Sequence, residues 1–285
     1  MPINTPNLGL FDYNPITDGN LAFNITQALS NNFNVIDTAF GNLMGNFSGY
    51  LSGFTISNDS VSPNSIIDIS SGICMDSTNS NFIKVVSGIK KSLSGNWVAG
   101  SGNTGLDTGS VAPNSEYNVF TIINPITEII DNLLSLSLSP VLPFGFTLFR
   151  RIGSIFTNSS GNIIPFYQSG NYFYWKIPVM DIIAVMSTSA RTLYKLSVPG
   201  AVPVIPIINI MTDASTGTNI ITSPLQNDVA PTSSLFDTYG GSVGAFGYCS
   251  KHILTNTGQI GARAMNGSAQ IFILTSGYID FRGKG

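Results

Sequence analysis

The stretch Phe166-Tyr167-Gln168-Ser169-Gly170-Asn171-Tyr172-Phe173-Tyr174-Trp175 decides the fold class. Aromatic residues flank Gln168-Ser169-Gly170-Asn171, whose glycine and asparagine tolerate the left-handed backbone that a tight hairpin turn requires. Neighbouring side chains of a strand point to opposite faces, so the run sends half of its rings inward and half outward. The texture continues in both directions. Phe54-Thr55-Ile56, Phe82 to Val86, Tyr117 to Ile123, Phe144 to Arg150 and Gln270 to Thr275 are short apolar or alternating runs between Gly, Asn, Ser and Pro. Ser159-Ser160-Gly161-Asn162 reads as a second hairpin turn. Asp181 to Ala190 is apolar enough for a helix, but its β-branched residues favour a buried strand. Together these runs predict a mainly β chain, with an antiparallel β-sandwich (jelly-roll-like) body. No fixed-period repeat is present, which disfavours a β-helix.

The segment before this texture reads differently. Thr17-Asp18-Gly19-Asn20 is a turn signal, and Asn24 with Gln27 fits a helix-capping pair. Ile25, Leu29, Phe33, Ile36, Phe40 and Leu43 then recur at spacings of four and three, one face of an α-helix. Gly41 or Gly45 ends it. A helix of about 16 residues is marginal alone in water, and this stripe is too aromatic to stay wet. It packs on the chain's own body or on other chains; Gly45, Gly49 and Gly53, which let it stand off, favour the second. The expected organisation is a helical anchor or oligomerisation segment over 1–53 and a β body over 54–285. Within the body, Pro199 to Pro206 forms an extended bridge between two halves.

Charged residues make up 9% of the chain, where an ordinary soluble domain has about a quarter. Asn, Ser, Thr and Gly replace them, giving a surface suited to staying docked to neighbours. A net charge of -3 and only two basic pairs, Lys90-Lys91 and Arg150-Arg151, argue against nucleic acid as a partner. Prolines and acids interrupt every apolar stretch well short of the ~20 residues a spanning helix needs, so membrane insertion is not expected. Met1-Pro2-Ile3-Asn4 has neither the basic region nor the apolar core of a signal peptide. Cys74 and Cys249 read as reduced, buried thiols.

The catalytic inventory is thin, and no enzyme activity or cofactor is expected. His252 is the single histidine, with no nucleophile elbow before it and no companions for a metal site. Asp107-Thr108-Gly109 spells an aspartic-protease signature, but that chemistry needs two such carboxylates and no second copy exists. Glycan hydrolysis needs only two suitably placed acids, for which Glu116, Glu128, Asp213 and Asp237 are formal candidates. Tyr167, Gln168, Asn171, Tyr172 and Tyr174 would suit sugar stacking if exposed together, or half of the run would be core. Arg150-Arg151 closes an apolar strand, and alternation sends one arginine to each face. One of them therefore needs a buried partner, for which Asp107 and Asp280 are the candidates.

A family resemblance now becomes visible. Phe11-Asp12-Tyr13-Asn14-Pro15-Ile16-Thr17-Asp18-Gly19-Asn20, followed by Phe23-Asn24-Ile25 and Asn31-Asn32-Phe33-Asn34-Val35-Ile36-Asp37, resembles the N-terminal segment of phage tail-fibre proteins. Phe33 and Asn34 stand where tryptophan and aspartate are common. The body is similar to a group of phage and prophage tail proteins through Asn96-Trp97-Val98-Ala99-Gly100-Ser101-Gly102, Leu106-Asp107-Thr108-Gly109, Arg150-Arg151-Ile152-Gly153 and Gly277-Tyr278-Ile279-Asp280-Phe281-Arg282-Gly283. The resemblance implies a virion structural protein, assembled in the bacterial cytoplasm into the phage tail as a tail fibre or baseplate-proximal piece. It implies a trimer whose partners are other tail proteins and, for host attachment, the host surface. A host-glycan adhesin is the alternative, and a capsule depolymerase a third expectation.

Overall fold

The computed structural model describes residues 3–4, 8, 10–12, 26–45, 47–213, 217–240, 246–249, 251–267 and 269–283. β1 (Ile3–Asn4) and β2 (Phe11–Asp12) pair with each other. A π-helical turn over Thr26–Asn31 leads into α1 (Asn32–Gly45). The body follows with β3 (Leu51–Gly53), β4 (Ile56–Asn58), β5 (Ile66–Ile69), β6 (Gly72–Met75), β7 (Phe82–Val85), β8 (Ile89–Asn96) and β9 (Thr104–Leu106). Next come β10 (Glu116–Ile123), β11 (Ile130–Ser135), β12 (Leu148–Phe156), β13 (Phe166–Ser169), β14 (Tyr172–Val185) and β15 (Thr192–Lys195). The last strands are β16 (Val204–Asp213), β17 (Gly217–Thr222), β18 (Thr238–Gly240), β19 (Phe246–Cys249), β20 (Gln259–Ala264) and β21 (Gln270–Asp280).

The chain is mainly β, with one short α-helix near the N-terminus and several antiparallel sheets. A seven-stranded sheet has the order β12-β10-β11-β9-β8-β5-β4, and a five-stranded sheet the order β13-β14-β21-β16-β19. A four-stranded sheet (β15-β20-β17-β18) and a three-stranded one (β3-β6-β7) complete the body. β9 departs from the antiparallel rule, pairing parallel with both β8 and β11. The hairpin falls at Gly170-Asn171, with Ser169 facing Tyr172 across a two-residue turn and Gly170 at φ 60°.

The main core runs from Leu51 through Tyr117, Phe173, Val204 and Ile260 to Tyr278, and a smaller cluster gathers Phe120, Ile122, Leu133 and Phe146. Two expected boundaries shift accordingly. Leu51 lies in the main core and β3 pairs with β6, so the body begins inside the 1–53 segment. The stretch Pro199 to Pro206 runs into β16, an interior strand between β21 and β19, so the two halves share one core. Strand β12 starts at Leu148, not at Phe144. Gly145 takes φ 83° and Thr147 N–H donates back to the Ile123 carbonyl, which keeps residues 144–147 in a loop.

Candidate interaction surfaces

The helix carries the first candidate surface. Leu29, Phe33, Ile36 and Phe40 are all exposed, Phe33 by 64% and Phe40 by 58%. Ile25, and the side chain of Leu43, lie outside the described residues. The first turn is wider than an α-helix, so the regular helix begins only at Asn32. An aromatic stripe of this kind on a 14-residue helix has little reason to hold its shape in water without a covering partner.

The hairpin carries the second. Tyr167 and Tyr174 stack across the strand pair with ring centroids 5.0 Å apart, and Tyr172 continues the stack at 6.2 Å from Tyr174. Tyr167 and Tyr172 are exposed and Tyr174 is half-buried. Their neighbours Phe166, Phe173 and Trp175 point into the core. Gln168 belongs to neither group, because its amide is engaged internally. Its oxygen accepts the Ile56 N–H at 2.7 Å and its nitrogen donates to the Gly170 carbonyl at 2.8 Å. Asn171 is half-buried, and its carbonyl accepts the Asp280 N–H at 2.9 Å.

The arginines form a neck between the helix root and the C-terminal strand. Arg151 makes a two-pronged pair with Asp280, at 3.2 and 2.8 Å, and its Nε donates to Asn118 at 2.7 Å. Ser154, which accepts from Arg151, passes the chain of bonds on to Glu116 at 2.9 Å, and Glu116 also accepts the Gly200 N–H. Arg150 goes elsewhere, as strand alternation requires. Its Nη2 donates to the carbonyls of Gly49, Arg282 and Gly283. Arg282 itself reaches the carbonyls of Gly53, Phe54 and Ile152. Burial pushes the Arg150 and Arg282 pKa values below the arginine norm. Both remain cations, since that norm lies far above neutrality. Above the neck opens a cleft of about 700 Å³ lined by Phe120, Phe149, Val202 and Phe281 beside the guanidinium groups.

Asp107 is not the partner of either arginine. It accepts the N–H groups of Thr108, at 2.8 Å, and Val141, at 3.1 Å, so Asp107-Thr108-Gly109 is a loop fastener. Sequence reasoning missed the neighbouring ion pair. Lys91, fully buried, donates to Asp131 at 2.8 Å and to the carbonyls of Val98 and Gly100. Its ammonium also lies 5.3 Å from the Trp97 ring centroid. Burial lowers the Lys91 pKa, and Asp131 opposes that shift. The only signal in the sequence was the pair Lys90-Lys91 within one strand, where alternation sends one lysine to each face.

The remaining chemistry is modest. Asp237 is paired with Lys251 at 2.8 Å and accepts the Ile221 N–H at 2.7 Å. Glu128 occupies a turn at φ 57°, and His252 is exposed. Both cysteines are free thiols, and burial pushes Cys74 up to about 12. Among the described residues, no three His, Cys, Asp or Glu side chains converge to hold a metal ion. No described helix is long and apolar enough to cross a membrane. No family model, curated protein or solved structure matches the chain.

Proposed function

We propose that the chain is a structural component of a phage tail, a tail-fibre or baseplate-proximal piece that acts as a homo-oligomer, trimeric as the resemblance implies. The helix anchors it or joins its copies, and the β body meets other tail proteins or the host surface. The observation that carries this reading is the exposed stripe of Leu29, Phe33, Ile36 and Phe40 on a helix, with no cover for it among the described residues. The fibre-like N-terminal motif supports the tail assignment. The neck supports a mechanical role. Arg150 and Arg282 bind the carbonyls of Gly49, Gly53 and Phe54, so a pull on the helix passes into the C-terminal strand through buried, charge-assisted bonds.

No catalytic role is part of this proposal: of the acids the sequence offers for one, Asp107, Glu116 and Asp237 are engaged in fastening loops and strands. The test is assembly. Tail particles produced with Phe33→Ser and Phe40→Ser in this chain should lack it, while the soluble body keeps its native melting curve. Full incorporation of the double variant would refute the anchor. A second reading, a host-glycan adhesin, is favoured by the stacked Tyr167, Tyr174 and Tyr172. It predicts that the purified chain binds host cells and that Tyr167→Ala with Tyr174→Ala abolishes binding.

A further inference from the structure

The five-stranded sheet has a second apolar face. Its inner face buries Phe173, Ile210, Ile271 and Ile273 in the core. The outer face would ordinarily alternate to polar residues, since a solvated sheet face is polar. Here the cross-strand register instead aligns Ile183, Phe272, Met211 and Tyr248 in one row across four strands. Ile183 is 67% exposed and Tyr248 75% exposed, with Phe272 and Met211 half-buried between them. The next row sets Met180 beside Leu274 and Asn209. At the far end Tyr172, Ile279 and Ile205 align beside the tyrosine stack.

These rows contain no charged residue. Three strands of roughly ten residues and two of four, about 4.8 Å apart with about 3.4 Å per residue, give a face on the order of 600 Å². A specific protein interface buries about 800 Å² per partner. The adjoining row of Val185, Gln270 and Asp213 adds one carboxylate at the end of the face. An otherwise uncharged face of that size offers little to select an oppositely charged partner and little to repel a copy of itself.

We infer that this outer face packs against the same face of neighbouring copies of this chain, sheet upon sheet, around the symmetry axis of the oligomer. A contact about a three-fold axis is heterologous, so each copy's face meets a different part of the same face on its neighbour, and the three sheets close around the axis. The inference rests on the homo-oligomer of the proposed function and adds the surface that joins the bodies, separate from the helix.

The test is thiol labelling of the full chain carrying Ile183→Cys, with Val61→Cys as the open control at a position 85% exposed. The unmodified chain supplies the background, because Cys74 is buried and Cys249 half-buried. Light scattering on the same samples gives the mass. The inference predicts that Ile183→Cys reacts at least about tenfold more slowly than Val61→Cys, since interface cores exclude water. Adding Phe272→Lys should return the Ile183→Cys rate to that of the control. Equal rates in a sample whose mass is that of an oligomer would overturn this surface and leave the proposed function standing. A monomeric mass would overturn both. Slow labelling that appears only after host glycan is added would assign the face to a ligand instead.

Discussion

The seven-stranded and five-stranded sheets both carry apolar side chains on the face turned away from the shared core, and the chain treats the two faces in opposite ways. On the first, Phe120, Ile122 and Leu133 are covered by Trp97, Leu142 and Phe146 from the chain's own loops. Trp97 packs edge-on to Phe146 at 5.3 Å and donates its indole N–H to the Asn132 carbonyl. Lys91 and Asp131 hold that loop down, through the Val98 and Gly100 carbonyls and the Gly100 N–H. On the second, Ile183, Met180 and Tyr248 are exposed, with no such lid among the described residues. The helix stripe is bare in the same way. This sequence can build covers, which is why we propose that the surfaces it leaves uncovered are met by other chains.

The largest expected effect breaks the covered face. Lys91→Met leaves Asp131 buried without its cation, and removal of one partner of a buried pair costs about 3–5 kcal/mol. The urea midpoint should fall, with an earlier change in tryptophan fluorescence as the loop lifts. Arg151→Ala strips Asp280 in the same way, but this pair lies nearer solvent, the Arg151 side chain being 11% exposed where Lys91 is 0% exposed. The expected loss is therefore smaller, about 3 kcal/mol. An unchanged melting temperature would remove the neck from the account.

A third substitution sharpens the comparison from the bare side. A methyl group on Gly277 would stand 2.0 Å from the Phe173 carbonyl oxygen and 2.9 Å from the Tyr174 Cα. Gly277→Ala should cost about 2 kcal/mol by forcing β14 and β21 apart. Ile183→Lys, in contrast, should change body stability by less than about 0.5 kcal/mol, since the side chain touches little within its own chain. Its effect should be on mass in solution.

The smallest effect lies outside both faces. The Lys90 ammonium, with the N–H groups of Ser62 and Val61, holds Asp59 at about 2, below its ordinary 3.8. A depressed carboxylate pKa gives stability that is complete above the unfolded value and fades as pH falls through the folded one. Melting temperature should therefore drop between about pH 4 and pH 2, and Asp59→Asn should flatten that part of the curve.

Much of the body was legible because its signals are local. Gly170-Asn171 set the hairpin, alternation separated Tyr167 and Tyr174 from Phe173 and Trp175, and the spacing of Leu29, Phe33, Ile36 and Phe40 gave one helical face. The Arg151–Asp280 pair was within reach, since a buried arginine needs a carboxylate and few acids were near strand ends. What was not legible depends on distant pairing. Nothing local announces that β16 lies between β21 and β19, or that β9 runs parallel to β8 and β11. Lys91 and Asp131 are 40 residues apart, and their meeting follows from that strand order. The outer apolar face was hidden for a related reason. Irregularities between Tyr174 and Val179, and again at Asp181, break the alternation of β14, so which side Met180 and Ile183 occupy depends on the register with β21.

We propose that the chain exists as copies joined through apolar surfaces it does not cover itself. Light scattering on the purified full-length chain tests it most directly. The expected result is a monodisperse species at three times the chain mass of 30.3 kDa, reduced by Phe33→Ser with Phe40→Ser. A monodisperse monomer, with the same mass before and after that substitution, would contradict it.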